Sequence, residues 1–233
     1  MNFIFNRVPL SETIRPKLDE FQSGNKILIY DDSGKEWSVD KIPNLQVEFL
    51  GNNAILKLHQ NVKFRKMSIR MGERAYFHIG KESRIRFSLY ADLSNRNATL
   101  FIGDRCDIGT IKFFIEREPN LEVIIGDDFM AANDIEFRTS DAHAIYTLEN
   151  PRKTINKPKF GIHIGDHVWI GERVIVAKDA EIASNSVVGA CSFVGNKSFP
   201  DNVIIAGVPG KVIKEGINWD SKSTYNYEKM FSD

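Results

Sequence analysis

The chain has 233 residues, 42% of them apolar and 27% charged, and its 31 basic and 31 acidic side chains leave no net charge. That composition suits one globular body and provides no global field to hold nucleic acid or an anionic membrane surface. Two cysteines, Cys106 and Cys191, are too few for a disulfide framework, no window approaches the ~18 apolar residues of a membrane span, and MNFIFNRVPL lacks the basic-then-apolar order of a secretory leader, so a cytoplasmic protein is expected.

Residues 1–45 show no repeat and read as an irregular N-terminal cap. Within them KILIYDDSGKEWSV predicts a hairpin turning at Asp-Ser-Gly, which would cover the open strand edges of whatever follows. Residues 46–215 read as one repeating unit. Leu56-Lys57-Leu58, Phe77-His78-Ile79, Leu100-Phe101-Ile102 and Val123-Ile124-Ile125 align, with third members 21, 23 and 23 residues apart. Six residues after each third member come Phe64, Ile85, Ile108 and Ala131, and Gly80, Gly103 and Gly126 follow three of the four.

Residues 137–160 depart from the repeat. An insertion in a rigid solenoid must project from it, and such loops often carry function because the scaffold fixes their base. Near its start lies Ser140-Asp141-Ala142-His143. An imidazole, with an ordinary pKa of ~6.5, can take a proton from an alcohol at neutral pH, so His143 is the candidate general base. Asp141 or Glu136 could orient its ring. Arg152, Lys153, Lys157 and Lys159 follow and could meet an anionic acceptor, although a solvated loop is the better explanation.

The repeat is plainest from residue 164: IGDHVW IGERVI VAKDAE IASNSV VGACSF VGNKSF. An aliphatic residue opens each hexad, a small residue follows, and the fifth position is small or β-branched. Each hexad reads as a short β segment plus a bend, with three hexads closing a triangular coil and positions one and five facing inward. The regular coil is therefore 18 residues, and the longer early coils should carry bulges or small loops. The sixth position faces outward and holds Trp169, Ile175, Val187, Phe193 and Phe199. A large aromatic such as Trp169 facing water calls for a partner or ligand, and apolar outer faces suit contact between subunits of a three-fold trimer. After Phe199 the phase slips, IIAGVPGKVIKEG turns on Pro209 and Gly210, and the polar C-terminal tail, 216–233, is either a short helix or loose.

IGDHVWIG, the following hexads and AGVPGKVI together resemble the hexapeptide-repeat acyltransferases, in particular the branch that O-acetylates sugars, capsules and lipopolysaccharides. The resemblance implies an all-β, left-handed parallel β-helix, acetyl-CoA as co-substrate, no required metal, a sugar or polysaccharide acceptor, and a homotrimer with its sites between subunits. It assigns catalysis to His143, for which residue chemistry alone nominates Asp141 as the orienting carboxylate. It places Trp169 at the thiol end of acetyl-CoA, and Gly189, Ala190 and Ser192 along its pantetheine. Lys197 and Lys211 fall near its phosphates. Gly207-Val208-Pro209-Gly210-Lys211 departs from the family's G-x-P-A-K in one residue. Three alternatives remain on the sequence: N-acetylation of an amino sugar, a γ-carbonic-anhydrase-like metal enzyme using His143, His163 and His167, and a non-catalytic scaffold.

Overall fold

The computed structural model describes residues 15–22 and 24–232, which form a left-handed parallel β-helix of about seven triangular turns. The first face stacks Ile55–His59, Tyr76–Ile79, Thr99–Ile102, Glu122–Ile125, Gly161–Ile164, Ala180–Ile182 and Ser198–Phe199 in that order. The second and third faces share a sheet, because the long strands Arg84–Leu93 and Asp107–Phe114 run round the corner between them. The register follows the repeat. Leu58, Ile79, Ile102, Ile125, Ile164 and Ile182 lie over one another, as do Phe64, Ile85, Ile108, Ala131, Ile170 and Val188. All of these except Phe64, which is half-buried, lie in the buried core. A strand register of this kind is strongly specified, since a slip of one residue would turn every aliphatic side chain to solvent.

The corners have a physical signature. The fourth hexad residue adopts positive φ at His167, Arg173, Asp179, Asn185 and Cys191. The recurrent smallness of the second hexad position has a different cause at its first two glycines: a Cβ on Gly165 or Gly171 would sit 2.7 Å from the backbone nitrogen of Ser184 or Ala190 in the next coil. Close approach between coils, and not the turn itself, excludes the side chain there.

The phase slip falls inside the last hexad and not after it. The next positive-φ corner is Asn196, five residues after Cys191, and Phe199 pairs with Ile182. Phe199 is therefore an inward residue, 2% exposed, and Ser198 points out. The outward Phe199 expected from strict hexads is corrected by this one-residue shortening. In the early coils the extra length is taken up by a bulge between Ile108 and Thr110 and by short loops around 94–97 and 116–120.

The start of the expected cap, residues 1–14, lies outside the described residues. The expected hairpin is present: Lys26–Tyr30 pairs antiparallel with Glu36–Ser38 and parallel with Ile55–His59, so it extends the first face. At the other end Val203–Ala206 and Lys211–Glu215 form an antiparallel pair around Pro209 and Gly210. The tail ends in a helix, Thr224–Lys229, whose Ser223 side chain accepts from the Asn226 amide. Among the described residues no helix is long and apolar enough to cross a membrane.

Candidate active site

The insertion at 137–160 is an ordered arm. It leaves the edge where the third face meets the first and carries its own hairpin, Tyr146–Thr147 against Asn150–Thr154. Its outgoing base is tied where Thr139 Oγ1 donates to the Phe114 carbonyl and Ser140 Oγ to that of Glu116, both at 3.2 Å. Its return is tied by buried Asp179, whose Oδ1 accepts from the amides of Lys159 (2.8 Å) and Phe160 (3.3 Å).

His143 is exposed near the start of this arm, directly after Ala142, whose φ is +64°. Its amide donates to the Asp141 carbonyl at 2.8 Å and its carbonyl accepts from Asn156 Nδ2 at 2.9 Å. Among the described residues its imidazole makes no hydrogen bond or ion pair, so the ring is open to a substrate. The two carboxylates considered for orienting it are engaged elsewhere. Asp141 Oδ2 accepts from Lys178 Nζ and Asn156 Nδ2. Glu136 pairs with Arg138 at 2.8 Å and Lys112 at 3.5 Å on the outer third face. Partial burial pushes the Asp141 carboxyl up, but the hydrogen bonds from Lys178 and Asn156 outweigh it and hold the group below the usual range.

Trp169 lies on the second face, in register with Met130 and Val187. It is 37% exposed, and Trp219 of the C-terminal tail lies beside it. Trp219 stacks on His167 with ring centroids 4.2 Å apart, donates Nε1–H to the His167 carbonyl at 2.8 Å, and sits 6.1 Å from the Trp169 ring. Gly189 and Ala190 form the corner between the second and third faces, and Lys211 begins the added strand on the second. The Ser192 hydroxyl is buried, donating to the Gly189 carbonyl at 2.7 Å and accepting from the Gly207 amide at 3.1 Å, so only its backbone could reach a ligand. Lys197 stands apart from this group, at the edge shared with the arm and with Nζ 5.2 Å from the Phe199 ring.

The nominated residues thus form two groups. Trp169, Gly189, Ala190 and Lys211 cluster on the second face and its corner with the third. Asp141, His143 and Lys197 belong to the opposite edge of the prism. His163 contacts Glu122 at 2.8 Å on the first face and His167 contacts Asn185 at 3.2 Å at a corner, so the three histidines of the metal-enzyme alternative serve separate features. Among the described residues no group of three or more His, Cys, Asp or Glu could hold a metal ion.

Comparison with known proteins decides the family. The family described as "Bacterial transferase hexapeptide (six repeats)" matches residues 161–196. The polysialic acid O-acetyltransferase of Neisseria meningitidis is 34% identical over 185 residues, 76% of this chain and 80% of that protein. The protein of the same name from Escherichia coli O1:K1 is 38% identical over 144 residues, 62% of this chain but 44% of that one. Among solved structures, the polySia-specific acetyltransferase NeuO superposes with a TM-score of 0.71 at 30% identity, covering 86% of this chain and 80% of its own. The polysialic acid O-acetyltransferase OatWY gives 0.59 at 26% identity, covering 80% and 98%. The chain belongs to the hexapeptide-repeat acetyltransferases.

For a hexapeptide-repeat acetyltransferase, the arm is the part that sequence reading left incomplete. Asn156, Lys178 and Asp179 brace it, and none was flagged. Lys178-Asp179 looks like an ordinary polar corner of the VAKDAE hexad, and Asn156 lies 13 residues beyond His143 with no motif around it. Trp219 opens a polar tail with scattered aromatics, where nothing in the pattern marks it as a partner of His167.

Proposed function

We propose that this acetyltransferase moves an acetyl group from acetyl-CoA to a hydroxyl of a polysaccharide, with His143 as general base. The reading is carried by one observation: an unengaged, exposed imidazole on a braced arm of a fold whose similar relatives are O-acetyltransferases. His143 takes the hydroxyl proton as the oxygen attacks the thioester carbonyl. The tetrahedral species collapses by breaking the C–S bond, and the imidazolium returns the proton to the departing thiolate. No covalent enzyme intermediate and no metal enter these steps. Orientation and oxyanion stabilisation supply most of the acceleration, with general-base help adding ~10²–10⁴-fold.

Trp169 and Trp219 offer an aromatic wall for the thiol arm of acetyl-CoA, and exposed Lys211 a charge for its phosphates. Acetyl-CoA as donor carries with it a cytoplasmic location. The similar relatives are named for polysialic acid, and an anionic polymer suits the arm: among the described residues Arg152, Lys153, Lys157 and Lys159 form no ion pair, and all four are exposed.

The same geometry supports a homotrimer. The donor group and the base stand on opposite sides of one prism, so a complete site needs the arm of one subunit against the second face of the next. Exposed Ile145, Tyr146 and Ile155, and Leu148 at 94% exposure, give the arm an apolar surface for that contact.

The test is thiol release from acetyl-CoA in the presence of polysialic acid or a neutral polysaccharide. His143→Ala should lower kcat by ~10²–10⁴-fold with acetyl-CoA affinity kept. Near-normal turnover in the folded variant removes the base from the mechanism.

A further inference from the structure

We propose that Asn156 and Lys178 are positioning residues for His143, and that Asp141 works with them as a strap across the arm instead of acting on the imidazole. The inference rests on the reading of His143 as the base. Asn156 commits its whole amide to the segment around His143. Its Oδ1 accepts from the Ile145 amide at 2.9 Å, while Nδ2 donates to Asp141 Oδ2 and to the His143 carbonyl, both at 2.9 Å. A primary amide has two N–H donors, and both go to residues on or flanking the one presented. Lys178 completes the strap from outside the arm. Its mostly buried side chain donates to Asp141 Oδ2 and, at 2.7 Å, to the Asn156 carbonyl. Because Lys178 sits in a corner of the next coil, it joins the tip-side segment to the rigid solenoid, beside the buried Asp179 that holds the return of the arm.

The backbone shows why such a strap is needed. Ala142 is held at φ +64°, a region that residues with a β-carbon rarely adopt and that persists where surrounding contacts over-determine it. The residues on either side, Asp141 and His143, are both gripped by Asn156. The Asp141 carboxylate bonds to Lys178 and Asn156, and among the described residues no hydrogen bond joins it to the imidazole. Two residues apart in sequence, the pair reads as base and orienter, but the carboxylate acts on the position of the backbone.

Misplacing a catalytic group by about 1 Å can cost ~10²-fold in rate. Asn156→Ala and Lys178→Met should therefore each lower kcat by roughly 10–100-fold with the KM for acetyl-CoA unchanged, and Lys178→Arg should keep most of the rate. The decisive arm repeats both substitutions in a His143→Ala background. A strap that acts through His143 causes no further loss there, because the group it positions is gone. Asn156→Asp, which keeps the shape and removes the two donated bonds, covers the case in which the alanine variant fails to fold. Wild-type kcat in Asn156→Asp, or an equal loss with and without His143, overturns the strap while leaving the base intact. Near-normal turnover of His143→Ala itself would instead sink the parent reading and the strap with it.

Discussion

The outer row of the first face holds a histidine with no part in the proposed chemistry. His78 is buried, its Nε2 is 3.2 Å from the Tyr30 hydroxyl, its Nδ1 is 3.3 Å from that of Tyr76, and its ring stacks on Phe101 at 4.6 Å. Burial, with smaller contributions from Lys57 and His59, pushes its pKa down to about 3. In the unfolded chain the group titrates near ~6.5. Between those values the unfolded state binds the extra proton, so the stability that neutral His78 supports is fully present above ~6.5 and is lost as pH falls towards 3. A shift of this size corresponds to on the order of 5 kcal/mol at the acid end. Melting temperature measured from pH 7 to pH 4 should fall more steeply for the wild type than for His78→Phe, which keeps the stack on Phe101 and cannot titrate. Parallel slopes would show that other groups govern the acid limb.

At the scale of the coil, the hexad pattern made most of the solenoid legible. Inward Ile164, Ile170, Val176, Ile182, Val188 and Val194 are all buried, because a closed coil has no other place for six aliphatic side chains in one phase. What the pattern hid was a deletion. Phe193 and Phe199 are both sixth residues of their hexads, yet Phe193 is 40% exposed and Phe199 fills the core. A phenylalanine fits either side of the wall, so residue type alone could not report the five-residue corner at Asn196. Phe199→Ala should cost about 3–5 kcal/mol in chemical denaturation, as expected for emptying a core phenylalanine, and Phe193→Ala well under half of that in the isolated subunit. Equal costs would restore the strict hexad phase. The arm was legible only as an interruption. Its hairpin turns at Leu148-Glu149, with neither glycine nor an Asn-Gly pair to announce it, and its bracing depends on Lys178, a contact spanning 37 residues that no local pattern contains. Asp141 and His143 were singled out for their proximity in sequence. The proximity is real, but the Asp141 carboxylate is taken up by Asn156 and Lys178.

For the whole molecule, the separation of the two residue groups makes a claim that a single chain cannot satisfy. The arm leaves one edge of the prism and Trp169 lies on the face opposite that edge, so a site using both must draw them from different subunits. This division gives a complementation prediction. His143→Ala lacks the base but offers an intact Trp169 face, and Trp169→Ala offers an intact arm. On the proposed trimer, each variant assembled alone should be defective. In trimers assembled at random from equal amounts of both, an interface is complete when an arm from the Trp169→Ala subunit meets a face from the His143→Ala subunit, which happens at about one interface in four. Co-refolding or co-expression should therefore restore activity to roughly a quarter of the wild-type level, while mixing the two preformed trimers without exchange should restore none. If each chain carried a complete site of its own, no mixture could exceed the activity of the separate variants, and the three-fold arrangement would have no catalytic role.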